Sequence, residues 1–275
     1  ENGDTNKYAL EIENFPTPAP LAVFIDASDD SGMMNNDAIT AEASPRITVQ
    51  ADLTSLSSQG ITLLTQAQAE SGEQSGAAIF VNVQDAVSGE VLESGYASPL
   101  GGDLYEYRTT DLPDGNIIVS ASVHIFDPST TDRAVGPSLN SKAIRLVIDT
   151  ESPTTTSPQL LGSSDSGMDS QDQVTNIMSP AFVGVTEPNA KVRVLANGSI
   201  VGETVAGTDG RWEITVEPLT EGIYDFTTQV QDLAGNFGES DAINRVEVDK
   251  TAPNTPYLDL TAGSDTGLSN SDNVT

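Results

Sequence analysis

The chain has 275 residues, of which 41 are acidic and 11 are basic, so its formal net charge is 11 − 41 = −30. This balance excludes nucleic acid and anionic membrane surfaces as expected partners, because both require a basic face, and it favours a cation as ligand. Without Cys the chain forms neither disulfides nor thiolate metal sites, and its 37% of hydrophobic residues are enough to bury cores.

The sequence contains neither a membrane span nor a signal peptide. No run approaches the roughly 18 consecutive apolar residues of a transmembrane helix. The first twenty residues lack the basic and apolar regions of a secretory signal. We therefore expect no direct membrane insertion, and we expect any export signal to lie outside these residues.

An acidic loop recurs three times along the chain. The copies are DSGMMNNDAIT from Asp30, DSGMDSQDQVT from Asp165 and DTGLSNSDNVT from Asp265, each with a second Asp seven residues after the first. A proline lies twelve residues before each loop, at Pro18, Pro153 and Pro253. Because both landmarks agree, they predict four segments. These are the last strand of a preceding repeat and its linker (1–17), an enlarged repeat (18–150), a shorter repeat (151–250) and the start of an incomplete one (251–275).

The first complete repeat is longer than the second. Successive acidic loops start 135 and 100 residues apart, so the enlarged repeat carries 35 extra residues. From Pro45 to Leu112 there are 67 steps where the equivalent stretch from Pro180 to Leu219 has 39, which places 28 of the extra residues there. The polar stretch at residues 53–76 is the expected location, and it contains no aromatic residue.

The shorter repeat has the pattern of a β-sandwich. Two of its segments alternate apolar and polar residues, with apolar side chains at Val192, Val194 and Ala196 and at Trp212, Ile214 and Val216. Asn197-Gly198 is a strong signal for a two-residue hairpin, and Trp212 is expected in the core. With a strand near 159–161 there are about seven strands in about 100 residues, which predicts an all-β, antiparallel immunoglobulin-like sandwich.

A series of motifs in this repeat points to one family. EPNAKV, DGRW, EGIY, DLAGN and VDKTAP follow one another in residues 187–253. In this order they resemble the bacterial Ig-like repeats of giant type I-secreted non-fimbrial adhesins. The resemblance covers 151–250, resumes from 251 and is patchier over 18–150, where DGRW and AGN are missing. It implies tandem sandwiches in an elongated array, an extracellular location at the bacterial surface or in secreted form, a role in adhesion and virulence, and calcium near domain junctions.

The assumed sandwich topology gathers acidic residues at the junctions between repeats. The last strand and the loop between the first two strands lie at one end of such a domain, and the loop before the last strand lies at the other. The first junction is predicted to contain Asp30, Asp37, Asp149, Glu151, Asp232 and Asn236. The second is predicted to contain Asp165, Asp172 and Asp249, and Asp265 and Asp272 would open a third.

Carboxylates gathered in this way favour a bound cation, because they otherwise repel one another. Oxygen ligands in a loop with a turn-forming Gly suit Ca²⁺, which takes about 6–8 oxygens at roughly 2.3–2.6 Å. A single His and no Cys make zinc a poor candidate. The alternative is that these segments are ordinary turns whose Asp side chains bond their own backbone. Three copies in phase with a second landmark favour calcium.

Catalysis has little support in the sequence. His124 is the single histidine, no GxSxG motif accompanies it, and an ordinary strand position is expected for it, so we predict that the protein is not an enzyme. Tyr96, Tyr105 and Tyr107 are interpreted either as packing pairs across strands or as part of a recognition surface.

Two functions therefore remain. The favoured one is a monomeric, calcium-rigidified segment that contacts neighbouring repeats of its own chain and projects a binding site for host-cell adhesion as a stiff spacer. The alternative is that the enlarged repeat 18–150 itself binds a host glycan or receptor. The spacer is favoured because the extra polar segment offers no ring to stack on a sugar.

Overall fold

A computed structural model describes residues 21–259 except 33, 35, 59 and 127–140, together with residues 261 and 264. The segment 1–17, with the predicted last strand of a preceding repeat, and the third acidic loop, with Asp265 and Asp272, lie outside this part of the chain. Within it, no helix has the length and apolar character needed to cross a bilayer.

The first part of the chain forms two sheets and two short helices. Its elements are β1 (Ala22–Ile25), β2 (Ile39–Thr40), β3 (Arg46–Gln50), α1 (Thr54–Ser58), α2 (Gln66–Ser71), β4 (Gly76–Asp85), β5 (Val91–Tyr96), β6 (Ser98–Gly101), β7 (Leu104–Arg108), β8 (Gly115–Phe126) and β9 (Ile144–Ile148). The sheet orders are β1-β3-β7-β6 and β2-β9-β8-β4-β5. Ile47 and Val49 of the first sheet share one buried core with Val81 and Val119 of the second. The two sheets therefore pack face to face as a sandwich, the first domain.

The rest of the described chain forms a second sandwich, the second domain, with its own core. Its strands are β10 (Gln159–Leu160), β11 (Val174–Thr175), β12 (Ala181–Val185), β13 (Lys191–Ala196), β14 (Ser199–Val205), β15 (Arg211–Thr215), β16 (Gly222–Gln231), β17 (Phe237–Glu239) and β18 (Asn244–Val248). The sheets have the orders β10-β12-β15 and β11-β18-β16-β13-β14, with β17 paired to β16. Phe182 and Phe226, one from each sheet, meet in the core with ring centroids 4.3 Å apart.

The predicted fold class is confirmed, with one difference. The strands pair antiparallel except at β2 with β9 and at β11 with β18, which are short parallel pairs. In each domain the two-residue strand that follows the first strand therefore pairs with the last strand of the domain. These pairs are β2 with β9 and β11 with β18, each in the larger of the two sheets. The backbone N–H of Asp149 donates to Thr40 O at 3.0 Å, and that of Asp249 donates to Thr175 O at 2.8 Å. The end of each acidic loop is thus held beside the chain exit of its own domain.

Local predictions in the second domain are also confirmed. Asn197 and Gly198 have φ of +48° and +80°, as a two-residue hairpin turn between β13 and β14 requires. Trp212 is 4% exposed and lies against Gly184, where a Cβ atom would collide with the indole ring. The tryptophan is therefore a core residue, as its alternation predicts.

The extra segment at 53–76 is more ordered than its polar composition suggests. Leu53 and Leu56 are buried in the main core of the first domain, and Leu64 and Ala69 belong to a smaller buried cluster with residues of β4 and β8. Helix α2 begins with a capping box between Thr65 and Gln68 and ends at Gly72 with φ +64°. The insertion is therefore an integral part of the first domain.

The three tyrosines of the enlarged repeat have packing roles. Tyr105 and Tyr107 are buried in the core of the first domain. Tyr96 packs edge-on against Phe80 and Phe126. The packing interpretation is thus confirmed for Tyr105 and Tyr107, whereas Tyr96 belongs to an aromatic cluster on the other face of the five-stranded sheet.

Candidate metal centre between the two domains

The first acidic loop holds a buried carboxylate that lacks one partner. Asp30 is 5% exposed; its Oδ2 accepts a hydrogen bond from Ala38 N–H at 3.4 Å, and its Oδ1 has no partner. Burial raises the pKa of Asp30, the hydrogen bond from Ala38 lowers it, and the charge of Asp37 raises it. Asp37 in turn accepts from Ile39 N–H at 3.1 Å. The loop thus contains a pair of carboxylates with unused oxygen capacity.

The second acidic loop repeats this arrangement with different residues between the aspartates. Asp165 is 6% exposed, its Oδ2 accepts from Gln173 N–H at 3.4 Å, and its Oδ1 has no partner. Asp172 accepts from Val174 N–H at 3.0 Å. Gln173 has φ +63° where the first loop has +58° at Ala38. The seven-residue spacing therefore reflects a shared backbone geometry in which each Asp has a defined hydrogen bond.

A serine fixes each loop against the strand that follows it. Ser31 Oγ lies 3.2 Å from Thr40 Oγ1 and accepts from Ala41 N–H at 2.8 Å. Ser166 Oγ lies 3.3 Å from Thr175 Oγ1 and accepts from the backbone N–H of residue 176 at 2.8 Å. The Ser–Thr pair is a second feature, beside the aspartates, that the two loops have in common.

The first acidic loop contacts the DLAGN loop of the second domain. Ser31 Oγ donates to Ala234 O at 2.6 Å, and Ala41 N–H donates to the same oxygen at 3.2 Å. Gly32 has φ +116°, and a Cβ atom there would collide with Leu233 O. The two backbones approach this closely because glycine occupies the contact.

Three carboxylates from the two domains converge beside this contact. Asp149 follows the last strand of the first domain, Glu187 lies between β12 and β13, and Asp232 directly follows β16. Each offers an oxygen, and these oxygens all lie within 4.8 Å of one another. Among the described residues this is the one group of three or more His, Cys, Asp or Glu side chains with such spacing.

Hydrogen bonds position two members of this group. Asp232 is 3% exposed, and its Oδ1 accepts from the backbone N–H groups of Gly235 at 2.6 Å and Asn236 at 2.9 Å. The amide nitrogen of Asn236 donates to Asp232 Oδ2 and to Asp149 O, both at 2.8 Å. Asn236 therefore ties the exit of the first domain to the second.

The electrostatics of the group favour a positive ligand. Burial raises the pKa of Glu187, and the charges of Asp232, Asp149 and Glu151 raise it further, while a hydrogen bond from Thr154 N–H lowers it. Carboxylate oxygens alone make up the donor set, which is the chemistry that Ca²⁺ prefers. The residues present therefore fit a calcium ion.

The structure brings together part of the predicted first junction. Asp149 and Asp232 share the cluster, Asn236 bonds both, and Glu151 is near enough to affect the pKa of Glu187.

Asp30 and Asp37 lie in the adjoining loop as a separate pair, because Asp30 is directed into its own loop by the N–H of residue 38. Glu187 was missed by the sequence interpretation. The signal for it was its place in EPNAKV, a turn at the same end of the sandwich as DLAGN.

At the other end of the second domain, Asp165 and Asp172 share a loop and Asp249 follows β18 beside Thr175. The described residues contain no counterpart of Asp232 there. The second predicted junction therefore remains a prediction.

The paired sheets, with a short strand crossing between them, define an immunoglobulin-like sandwich protein. Residues 152–250 match the family model of the bacterial Ig-like domain. The match covers the segment that carries Glu187, Asp232 and Asn236. No curated protein sequence matches the chain.

Several solved structures match part or most of this chain. One is a tetra-tandem repeat in the extending region of a large adhesion protein, with 17% identity over 84% of this chain and 50% of that one and a TM-score of 0.32. Another is the BSP domain of a biofilm associated protein, with 16% identity, 78% and 29% coverage and a TM-score of 0.22. A third is a C-terminal intimin fragment in complex with the intimin-binding domain of its translocated receptor, with 10% identity, 86% and 65% coverage and a TM-score of 0.36. The chain thus spans half or less of the length of the first two structures.

Proposed function

We propose that this chain is a calcium-rigidified segment of a bacterial surface adhesin, a stiff spacer that projects a distal site for host-cell adhesion. The observation that carries the proposal is the convergence of Asp149, Glu187 and Asp232 from two domains, with oxygens within 4.8 Å of one another. The match of residues 152–250 to the bacterial Ig-like family model supports the setting in a repeat protein.

An ion at this position would link the domains directly. Asp149 belongs to the first domain, whereas Glu187 and Asp232 belong to the second. Without an ion, three negative charges in close proximity oppose the contact between the domains, and a bound Ca²⁺ supplies the compensating charge. Asn236 and Ser31 hold the surrounding backbone in place. Binding would therefore reduce hinge motion at the junction.

We also propose a second kind of calcium site, inside each acidic loop. Asp30 and Asp165 each have a buried carboxylate oxygen without a hydrogen-bond partner, and such an oxygen is costly unless it binds something. Asp37 and Asp172 are the neighbouring ligands in their respective loops, and Asp249 lies at the exit of the second domain. Asp265 and Asp272 extend the same proposal to the third loop.

The expected calcium affinity of these sites would suit an extracellular segment. Extracellular calcium modules bind at about 10⁻⁴ to 10⁻³ M, so the segment would be stiff outside the cell and supple at cytoplasmic calcium levels before export. The proposed partners are the neighbouring repeats of the same chain, with a monomeric chain and no nucleic acid.

Calorimetric calcium titration and small-angle scattering test this proposal. Asp232→Asn should weaken the interdomain site by at least about tenfold, since a carboxylate ligand is lost. Glu213→Gln on β15, which removes one exposed charge that belongs to neither the cluster nor an acidic loop, is the matched control. Equal radii of gyration in calcium and in chelator would contradict the spacer.

A further inference from the structure

The five-stranded sheet of the first domain carries a groove on the face opposite its core. The groove has a volume of about 600 Å³. Cross-strand pairing places Asn82 opposite Ser120 on β8 and opposite Ser94 on β5. Side chains two residues apart on one strand share a face, so Phe80 and Gln84 line the groove beside Asn82.

The described lining of the groove is uncharged, in a chain with a formal net charge of −30. The residues that line it in the described part of the chain include no Asp, Glu, Lys or Arg, and His124 is the one titratable residue among them. Burial lowers the pKa of His124, which keeps the imidazole neutral near pH 7. A ligand here would meet neutral donors and acceptors, while the acidic protein around it repels anions.

The polar side chains of the groove are available to a ligand. Asn82, Gln84, Ser94 and Ser120 have no side-chain hydrogen-bond partner in the described part of the chain. Amide and hydroxyl groups of this kind are the usual means by which a pocket orients a polar ligand.

The equivalent sheet face of the second domain carries charged side chains. There Arg193 bonds Glu203 at 2.7 Å and Gln229 at 3.3 Å, and Lys191 pairs with Glu203 at 3.0 Å. These side chains lie on β13, β14 and β16, which pair in the same way as β4, β5 and β8. The second domain thus has a charged, internally paired surface where the first has a neutral groove.

Aromatic rings form one end of the groove. Phe80 and His124 stack with centroids 4.5 Å apart and 12° between their planes. Tyr96 packs edge-on against both rings, and its hydroxyl lies 3.2 Å from His124 Nδ1. The insertion reaches this end, since Tyr96 packs against the buried cluster that contains Leu64 of the inserted segment. The enlarged domain therefore combines an apolar ring cluster with a neutral polar floor.

We propose that this groove binds a neutral oligosaccharide. A sugar presents an apolar face of C–H groups and a rim of hydroxyls, which match the ring cluster and the amide and hydroxyl floor. The groove volume lies within the range of about 300–1,000 Å³ that is typical of small-molecule pockets. Acidic sugars are disfavoured by the charge of the protein. This function goes beyond the spacer role and uses none of the junction carboxylates.

A glycan microarray that displays neutral and sialylated oligosaccharides side by side tests the proposal on the full chain. Neutral glycans should bind, and calorimetry with the strongest of them should show binding about fivefold to tenfold weaker in Asn82→Ala and in Gln84→Ala, as expected for one lost hydrogen bond. Thr227→Ala, on the equivalent strand β16 of the second domain, should leave the affinity unchanged. Thermal melts establish that the variants fold.

A second variant guards against indirect effects. Ser94→Phe on the edge strand β5 should abolish binding by filling the groove, without removing a buried group. Binding should persist in chelator, so failure of the calcium proposal would leave this one intact. The proposal is overturned if no neutral glycan binds, if only sialylated glycans bind, or if the Ser94 and Asn82 variants bind as the wild type does.

Discussion

Gly32 of the first domain and Gly235 of the second lie in direct contact. A Cβ atom on Gly235 would lie 2.9 Å from Gly32 N, and one on Gly32 would collide with Leu233 O. Neither glycine leaves room for a side chain across the junction. The two loops therefore interlock through their backbones, and the carboxylate cluster is built beside that contact.

The glycine contact predicts a selective loss of interdomain order. Gly32→Ala should cost about 1–3 kcal/mol through its left-handed φ of +116° and should also separate the domains. Gly101→Ala is the matched control, because Gly101 has φ +118° but nothing within 4 Å. In calcium, small-angle scattering should show a changed radius of gyration for the first variant alone. Equal behaviour of the two variants would show that the contact does not set the geometry.

We expect the Glu187→Gln substitution to change the Tm in opposite directions in chelator and in calcium. Its pKa in the folded chain lies above the ordinary value of 4.5, so the folded state holds this proton more tightly than the unfolded state. Stability without calcium therefore falls as pH rises from about 4.5 through the raised pKa. At pH 7 in chelator, Glu187→Gln should raise the Tm of the second domain. In saturating calcium the same change should lower it, because a ligand is lost.

Thermal melts at pH 5 and pH 7, each with calcium and with chelator, measure this reversal. Glu213→Gln removes an exposed charge from β15 and should shift the Tm little in any of the four conditions. A Glu187→Gln variant that is destabilised in chelator at pH 7 would contradict the proposed repulsion within the cluster.

Substitutions of the two loop serines, Ser31 and Ser166, distinguish an effect on loop stability from an effect on the contact between the domains. Ser31→Ala removes the bonds to Ala41 and to Ala234 of the other domain, whereas Ser166→Ala removes bonds within its own loop. Each variant should lose about 1 kcal/mol of local stability. Hydrogen exchange should rise in the DLAGN loop for Ser31→Ala alone. Unchanged exchange there would show that the Ser31 bond does not contribute to docking.

The spacing of the aspartates was readable from the sequence because it reflects local geometry. Seven residues separate Asp30 from Asp37 and Asp165 from Asp172, and the carboxylates accept hydrogen bonds from backbone groups at matching offsets. Such short-range relationships survive changes in the intervening residues. The fold class followed for a similar reason, because strand alternation is local.

The membership of the cluster was harder to predict, since it depends on which way side chains turn at the junction. Asp30 lies at the expected end of its domain but is held inside its own loop. Glu187 entered the cluster through a turn in which Asn189 has φ +62°, a geometry that no apolar pattern reports. Helix α2, by contrast, had a visible signal in Thr65 and Gln68, which form a capping box.

The buried leucines of the insertion predict that it stabilises the first domain. Leu56 is fully buried in the main core, so Leu56→Ala should cost about 2–5 kcal/mol. Leu100→Ala is the control, because Leu100 is 56% exposed and its loss should cost little.

Trp212 is the single tryptophan and lies in the core of the second domain, so its fluorescence reports on that domain alone. In chelator, Leu56→Ala should lower the urea midpoint seen by circular dichroism and leave the tryptophan transition in place. A shift of both transitions would mean that the domains unfold together even without calcium, and the ion would then have little hinge motion left to suppress.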